Sequence, residues 1–300
     1  MERQTVAIIG VGDVGATAAL SLILLKLPID ILLVDIDKKR CQGQVLDLQD
    51  ALAFTNNSAA LYQASLTDVR NADIIVIAAG ARQKPNQKRT ELLTINCNII
   101  SSLFDKIGSI KQETVVIMVT NPVDALALHA MRHAGLSAQQ IIATGTYLDT
   151  KRLTGMLSNK LAIAESSINL YIVGEHGDKQ VPVWSHATIA EKPILSFCTS
   201  DEQVAFADLV RNRAYEIIEC KGATYFGIGV CIADLCKSIL YDQKIAVPAS
   251  CYHQQDELFY SMPVILGKKG VEQIIYIDLS AQEKEQLLGS IDNLRKNVCG

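Results

Sequence analysis

Residues 5–35 read TVAIIGVGDVGATAALSLILLKLPIDILLVD: an apolar β-branched run, three glycines (Gly10, Gly12, Gly15), an Ala/Leu-rich helical stretch, a second apolar run and an acid, Asp35. A strand that turns through glycines straight into a helix leaves the helix's first N–H groups without intrahelical partners and facing outward. The second apolar run then has to lie parallel to the first, with the helix as a right-handed crossover.

GVGDVG fits G-x-G-x-x-G in the context that gives the pattern meaning. Gly10 suits the tight turn, Gly12 lets backbone N–H groups approach a pyrophosphate, and Gly15 allows close helix packing, with Val14 in the same ligand-facing turn. A glycine turn with no ligand fits the six residues alone. Asp35, twenty residues past Gly15, narrows the reading. A carboxylate at a strand end can accept from both hydroxyls of an adenosine ribose and would repel a 2′-phosphate, so NAD is expected rather than NADP.

The pattern repeats. A helix is expected to about residue 54, then the run ADIIVIA, a long helix near 90–107, TVVIMV, another helix and QIIAT. Near-continuous apolar strands separated by helices imply a doubly wound parallel sheet of the Rossmann type over residues 1–144. From about 145 the character changes: strand-like SSINLYIVG, a loop-rich segment, a helical stretch from about 201 to 240, hairpin-like runs and a final helix. Residues 145–300 are expected to form an α+β domain, with a ligand cleft between the two parts.

Charge and cysteine usage narrow the function class. A formal net charge of −4, with both signs mixed along the chain, provides no basic face for nucleic acid or an anionic membrane. The apolar stretch 20–34 is interrupted by Lys26, Pro28 and Asp30, so no membrane span is expected. Eight scattered cysteines without a C-x-x-C pair, and an N-terminus that runs straight into a strand, suggest a reducing, cytoplasmic setting.

Three segments carry candidate chemistry. EHGD offers His176 after a strand end, and an imidazole suits proton exchange with a hydroxyl or carbonyl oxygen. GTYLDTKR offers Asp149 and Arg152 three apart at a helix start; the carboxylate could fix an imidazole tautomer and the guanidinium could clamp a carboxylate, although from spacing alone a surface ion pair is the better reading. TNPVD puts Asn121 at the end of a buried strand, where it could meet a ligand or cap the next helix. His129 and His133, four apart, are read as helix-surface residues, and Cys231 and Cys236 as core thiols.

Taken in order and spacing, GVGDVG, VDID, AAGARQ…R, TNPVD, GTYLDTKR, GEHGD and KGATYFGIG resemble the lactate and malate dehydrogenase family over essentially all 300 residues. The resemblance implies an NAD-dependent L-2-hydroxyacid dehydrogenase. His176 would be the proton donor and acceptor, Asp149 its carboxylate partner, Arg152 the substrate-carboxylate clamp, and Asn121 a ligand of the reacting oxygen that also borders the cofactor. Arg89 would be the arginine of a mobile loop (about 80–91) that polarises the carbonyl, Ala79 and Gly80 would line the cofactor site, and Thr224 would border the substrate's methyl group.

Six residues before the loop arginine, malate dehydrogenases carry Arg and lactate dehydrogenases usually Gln; here the residue is Gln83. A neutral amide suits pyruvate and leaves oxaloacetate's second carboxylate poorly compensated, although Lys84–Pro85 resembles the malate-type loop. L-lactate dehydrogenase activity is therefore expected, with malate or broader 2-hydroxyacid dehydrogenases and a non-catalytic NAD-binding protein as alternatives. The resemblance also implies a place in glycolysis and a homotetramer or homodimer. Thr154 and Asn169 occupy the positions of the basic residue and histidine through which some relatives respond to fructose 1,6-bisphosphate, so no such activation is expected.

Overall fold

The computed structural model describes residues 3–81 and 89–298, the Arg89 side chain excepted. The N-terminal part alternates strands and helices: β1 (Thr5–Ile9), α1 (Asp13–Leu24), β2 (Asp30–Val34), α2 (Lys38–Ala53), β3 (Ala60–Gln63), β4 (Ile74–Ile77), α3 (Arg89–Ile107), β5 (Val115–Met118), α4 (Val123–His133) and β6 (Ile141–Ala143). All six strands pair in parallel, with the order reversing at β1, which lies between β2 and β4. That reversal opens a crevice at the carboxyl ends of β1 and β4.

Strand periodicity explains the two layers. Val6 and Ile8 of β1, Ile74 and Val76 of β4, and Val115 and Ile117 of β5 pack with α1 on one face. Their neighbours Ala7, Ile9, Ile75, Ile77, Val116 and Met118 pack with α3 and α4 on the other. Successive side chains of a strand point to opposite faces, so a sheet covered by helices on both sides needs apolar residues at every position.

The chain continues through α5 (Tyr147–Leu161), the short strands β7 (Ile168–Asn169), β8 (Ile172–Val173), β9 (Val181–Pro182), β10 (Thr188–Ile189) and β11 (Lys192–Pro193), and the helices α6 (Ser200–Lys221) and α7 (Phe226–Leu240). It ends with β12 (Ile245–His253), β13 (Leu258–Gly267), β14 (Gly270–Ile274) and α8 (Ala281–Arg295). The antiparallel β12–β13–β14 meander joins the edge at β6 through Ser250 and Ala143, so among the described residues one nine-stranded sheet runs through both halves.

Four details differ from the sequence expectation. ALYQ forms the edge strand β3, in which only Leu61 is buried, so it lacks a continuous apolar run. SSINLYIVG divides into two strands that join different sheets, β7 pairing with β10 and β8 with β9. The helical stretch 201–240 is two helices, because Gly222 takes a left-handed conformation (φ 84°) and its N–H closes α6 on Ile218 O. Cys97 is disulfide-bonded, which the scattered cysteine spacing did not foretell, while Cys231 and Cys236 are free and buried as expected. Among the described residues, no helix is long and apolar enough to cross a membrane.

Candidate active site

The glycine turn sits at the carboxyl end of β1. Gly10 has φ +93°, and a Cβ there would lie 2.4 Å from the Ala79 backbone nitrogen; one at Gly15 would lie 2.0 Å from Gly10 O. The turn, α1 and the end of β4 are therefore closed around atoms that only glycine admits. At Gly12, by contrast, an added methyl group would meet only the Arg40 guanidinium, at 3.9 Å. Gly12 caps α1 without a side-chain hydrogen bond, so the helix's first N–H groups and its positive dipole end face this open side.

Asp35 is tied into the same turn. One carboxylate oxygen accepts from Val11 N at 2.8 Å and the other from Asp37 N at 3.0 Å. These bonds hold the acid at the rim, where its remaining lone pairs can meet a ribose diol. An open helix N-terminus, a close backbone approach and a rim carboxylate fit a dinucleotide pyrophosphate and its adenosine ribose.

At the end of β4, Ala79 and Gly80 lead towards Asn121, which follows β5. Asn96, fully buried on α3, links the two: its Oδ1 accepts from Ala81 N at 2.8 Å and its Nδ2 donates to Asn121 O at 2.9 Å. Sequence reasoning passed over Asn96; an asparagine amid the apolar stripe of α3 was the available signal. The Asn121–Pro122 peptide is cis, and Asn121 Oδ1 accepts from Val123 N, the first N–H of α4, at 3.3 Å.

The titratable cluster is built where α5 meets β8. Thr150 on α5 accepts from Ile172 N at 3.0 Å, pinning the helix start against the strand that delivers the His176 loop. Asp149 then bridges two cationic groups: its Oδ2 is 2.7 Å from His176 Nδ1, and its Oδ1 accepts from Arg152 Nη1 at 3.0 Å. The Asp149 side chain is 4% exposed and that of Arg152 14%, so this is an interior cluster rather than the surface pair the spacing also allowed.

Burial alone would disfavour charge on both partners. For His176 the Asp149 carboxylate outweighs it, by charge and by hydrogen bond, and the imidazole pKa is raised. For Asp149 the cationic His176 and Arg152 outweigh it in turn, and the carboxyl pKa is lowered. The pair thus favours a protonated imidazole beside an ionised carboxylate, with Nδ1 engaged and Nε2 left for another partner.

The loop carrying His176 is held from two sides. His176 N donates to Asp124 Oδ2 on α4, Glu175 N donates to Ser290 Oγ on α8, and Glu175 Oε2 accepts from Asn293 Nδ2 at 2.6 Å. Asp124, Glu175, Ser290 and Asn293 were not singled out in the sequence, although Asp124 and Glu175 stand inside motifs that were.

Thr224 lies half-buried in the connection between α6 and α7. Gln83 and the Arg89 side chain lie outside the described residues, as do Arg82 and Lys84–Pro85. The His129 and His133 rings lie tilted with centroids 4.3 Å apart; His133 is exposed on the helix surface, and the partly buried His129 has its Nε2 2.7 Å from Ser101 Oγ on α3.

Comparison with known proteins finds the same architecture. Residues 4–143 match the family model described as lactate/malate dehydrogenase, NAD binding domain, and residues 146–299 match lactate/malate dehydrogenase, alpha/beta C-terminal domain. L-lactate dehydrogenase 2 of Enterococcus faecalis is 39% identical, over 98% of this chain and 96% of its own length. An L-lactate dehydrogenase of Lactococcus lactis subsp. cremoris is 36% identical, over 98% and 97%. Among solved structures, the ligand-bound minor L-lactate dehydrogenase of Enterococcus mundtii superposes with a TM-score of 0.94 at 31% identity, covering 98% of this chain and 97% of that one.

Proposed function

This chain belongs to the lactate/malate dehydrogenase family, and from that premise we propose that it is an NAD-dependent L-lactate dehydrogenase, interconverting pyruvate and L-lactate. The observation that carries the reading is Asp149 bridging His176 and Arg152 in one buried cluster. It brings a candidate proton carrier and a candidate carboxylate clamp together on one carboxylate.

NADH, when bound along the glycine turn, supplies the hydride. His176 holds the matching proton: with Nδ1 committed to Asp149, Nε2 delivers it to the carbonyl oxygen in reduction and withdraws it from the hydroxyl in oxidation. Among the described residues, Nε and Nη2 of Arg152 have no side-chain partner, which leaves donors for the substrate carboxylate. Asn121 would turn its side chain from Val123 N to the reacting oxygen, and Arg89 would stabilise the charge that develops there. The reading divides the work between residues 1–144, for the dinucleotide, and 145–300, for substrate and proton transfer.

Pyruvate rather than oxaloacetate is supported by the names of the relatives and by Gln83. The test is kcat/KM for both keto acids on the unmodified protein and on Gln83→Arg. Pyruvate should be preferred by roughly two orders of magnitude or more, the consequence of about 3 kcal/mol for an uncompensated carboxylate, and Gln83→Arg should move the preference towards oxaloacetate. A native preference for oxaloacetate overturns the reading. Cytoplasmic location, a role in glycolytic redox balance and a homotetrameric or homodimeric assembly belong to the same proposal; light scattering on the purified protein distinguishes the two assemblies.

A further inference from the structure

Asp124 stands in the first turn of α4, three residues past Asn121, and only 4% of it is exposed. Its Oδ2 accepts from the backbone N–H of His176 at 2.8 Å. Its Oδ1 has no hydrogen-bond partner among the described residues. A carboxylate buried to this degree is costly unless its charge or its bonds serve something nearby. The one backbone bond it accepts comes from the residue whose imidazole meets Asp149.

We propose that Asp124 is a second positioning carboxylate for the His176 imidazole, holding the backbone of its loop through Oδ2 and acting on the ring through its buried charge. The inference rests on the proposed function, in which His176 carries the proton. It assigns to α4 a task separate from that of α5: Asp149 fixes the ring through Nδ1, whereas Asp124 fixes the segment from which the ring projects. Because Asn121 and Asp124 share one turn, the same element would set the residue proposed at the reacting oxygen and the main chain of the proton carrier.

The charged and titratable groups around the pair are few. His176 faces Asp149 and Arg152 from α5 and Asp124 from α4. Asp124 faces His176 and Glu175 from the loop, and Ser250 and Cys251 from β12. Burial pushes the Asp124 carboxyl up to about 6, against the nearby Ser250 hydroxyl and the hydrogen bond from the His176 backbone. The Asp124 charge in turn adds to that of Asp149 in favouring the imidazolium.

Asp124→Asn keeps the shape and an oxygen for the His176 N–H while removing the charge. The His176 ring is titrated by NMR in the free protein, and kcat/KM for pyruvate is followed against pH. The expected result is a ring that loses its proton at a pH roughly one lower than in the native protein, with the high-pH fall of kcat/KM moving by the same amount. An unchanged ring titration in Asp124→Asn overturns the proposal. Should that variant not fold, the native protein decides: the Asp124 carboxyl carbon resonance must respond as His176 titrates, and no response overturns the proposal. Failure of the native protein to reduce pyruvate would instead overturn the functional reading, since the ring titration needs no substrate.

Discussion

Asp149 decides the electrostatics of the site because one buried carboxylate serves two cations. Its replacement by Asn removes the charge that offsets burial of the His176 ring and leaves Arg152 without its ion-pair partner. In the proposed mechanism pyruvate reduction consumes the imidazolium proton, so its rate should fall as pH rises through the raised His176 pKa. In Asp149→Asn that fall should move to lower pH, with kcat down by roughly 10²- to 10⁴-fold, the usual contribution of a positioned proton carrier; stopped-flow NADH absorbance across pH checks both. The stability lent by the charged pair has matching limits. The His176 part is complete below about pH 6.5, the unfolded imidazole value, and is lost as pH rises through the folded value. The Asp149 part is present above about pH 3.9 and is lost as pH falls through its lowered value. Arg152→Gln should act differently, on binding: removing one partner of an enclosed ion pair costs about 2–5 kcal/mol, so kcat/KM for pyruvate should fall by at least tenfold while NADH affinity, measured by fluorescence quenching, stays within a factor of two.

At the scale of elements, the site depends on closures that tolerate no extra atom. A methyl group at Gly10 would meet the backbone of Ala79 and require a positive φ of a residue that resists it. Gly10→Ala should therefore lose at least about 2 kcal/mol of stability in urea denaturation, at the middle of the range for one strained backbone position, and weaken NADH binding with it, because the end of β4 and the turn after β1 must part. The start of α5 is placed in the same manner by Thr150 against β8, which is why Asp149 arrives within 2.7 Å of a histidine 27 residues away. The break between α6 and α7 was hard to foresee, since 201–240 is helix-favouring on both sides and one glycine in the left-handed region suffices to divide it.

For the whole molecule, the dinucleotide crevice and the cluster of Asp149, Arg152 and His176 are joined by a sheet that crosses from the first half of the chain into the second. The β12–β13 hairpin backs β6 and, through Ser261, bonds both the Gly174 backbone ahead of His176 and Thr146 N at the start of α5. Ligand binding to one half should therefore stabilise the chain as a unit. NADH at a hundredfold over its Kd should add about 2.7 kcal/mol, seen in calorimetry as a single transition displaced upward by several degrees; two transitions, of which only one moves, would show that the halves unfold independently.

The local sequence determined the dinucleotide turn, the parallel sheet and the identity of the residues in the cluster, because each of these is written in short-range terms: glycines where the backbone is crowded, apolar residues at every position of a doubly covered strand, motifs at fixed spacing. Motif spacing left open which carboxylate meets which cation; the resemblance implied the Asp149–His176 pairing, and the tertiary structure decided that it is made in the interior, with Arg152 on the same carboxylate. Whether Asp149 and Arg152 formed a surface pair or an interior bridge to His176 depended on how α5 docks on β8. Asn96, Asp124, Glu175 and Ser290 act through partners as far as 118 residues away, and no periodicity carries information over such separations. A buried polar side chain is recognisable as a support only once the group it supports is beside it.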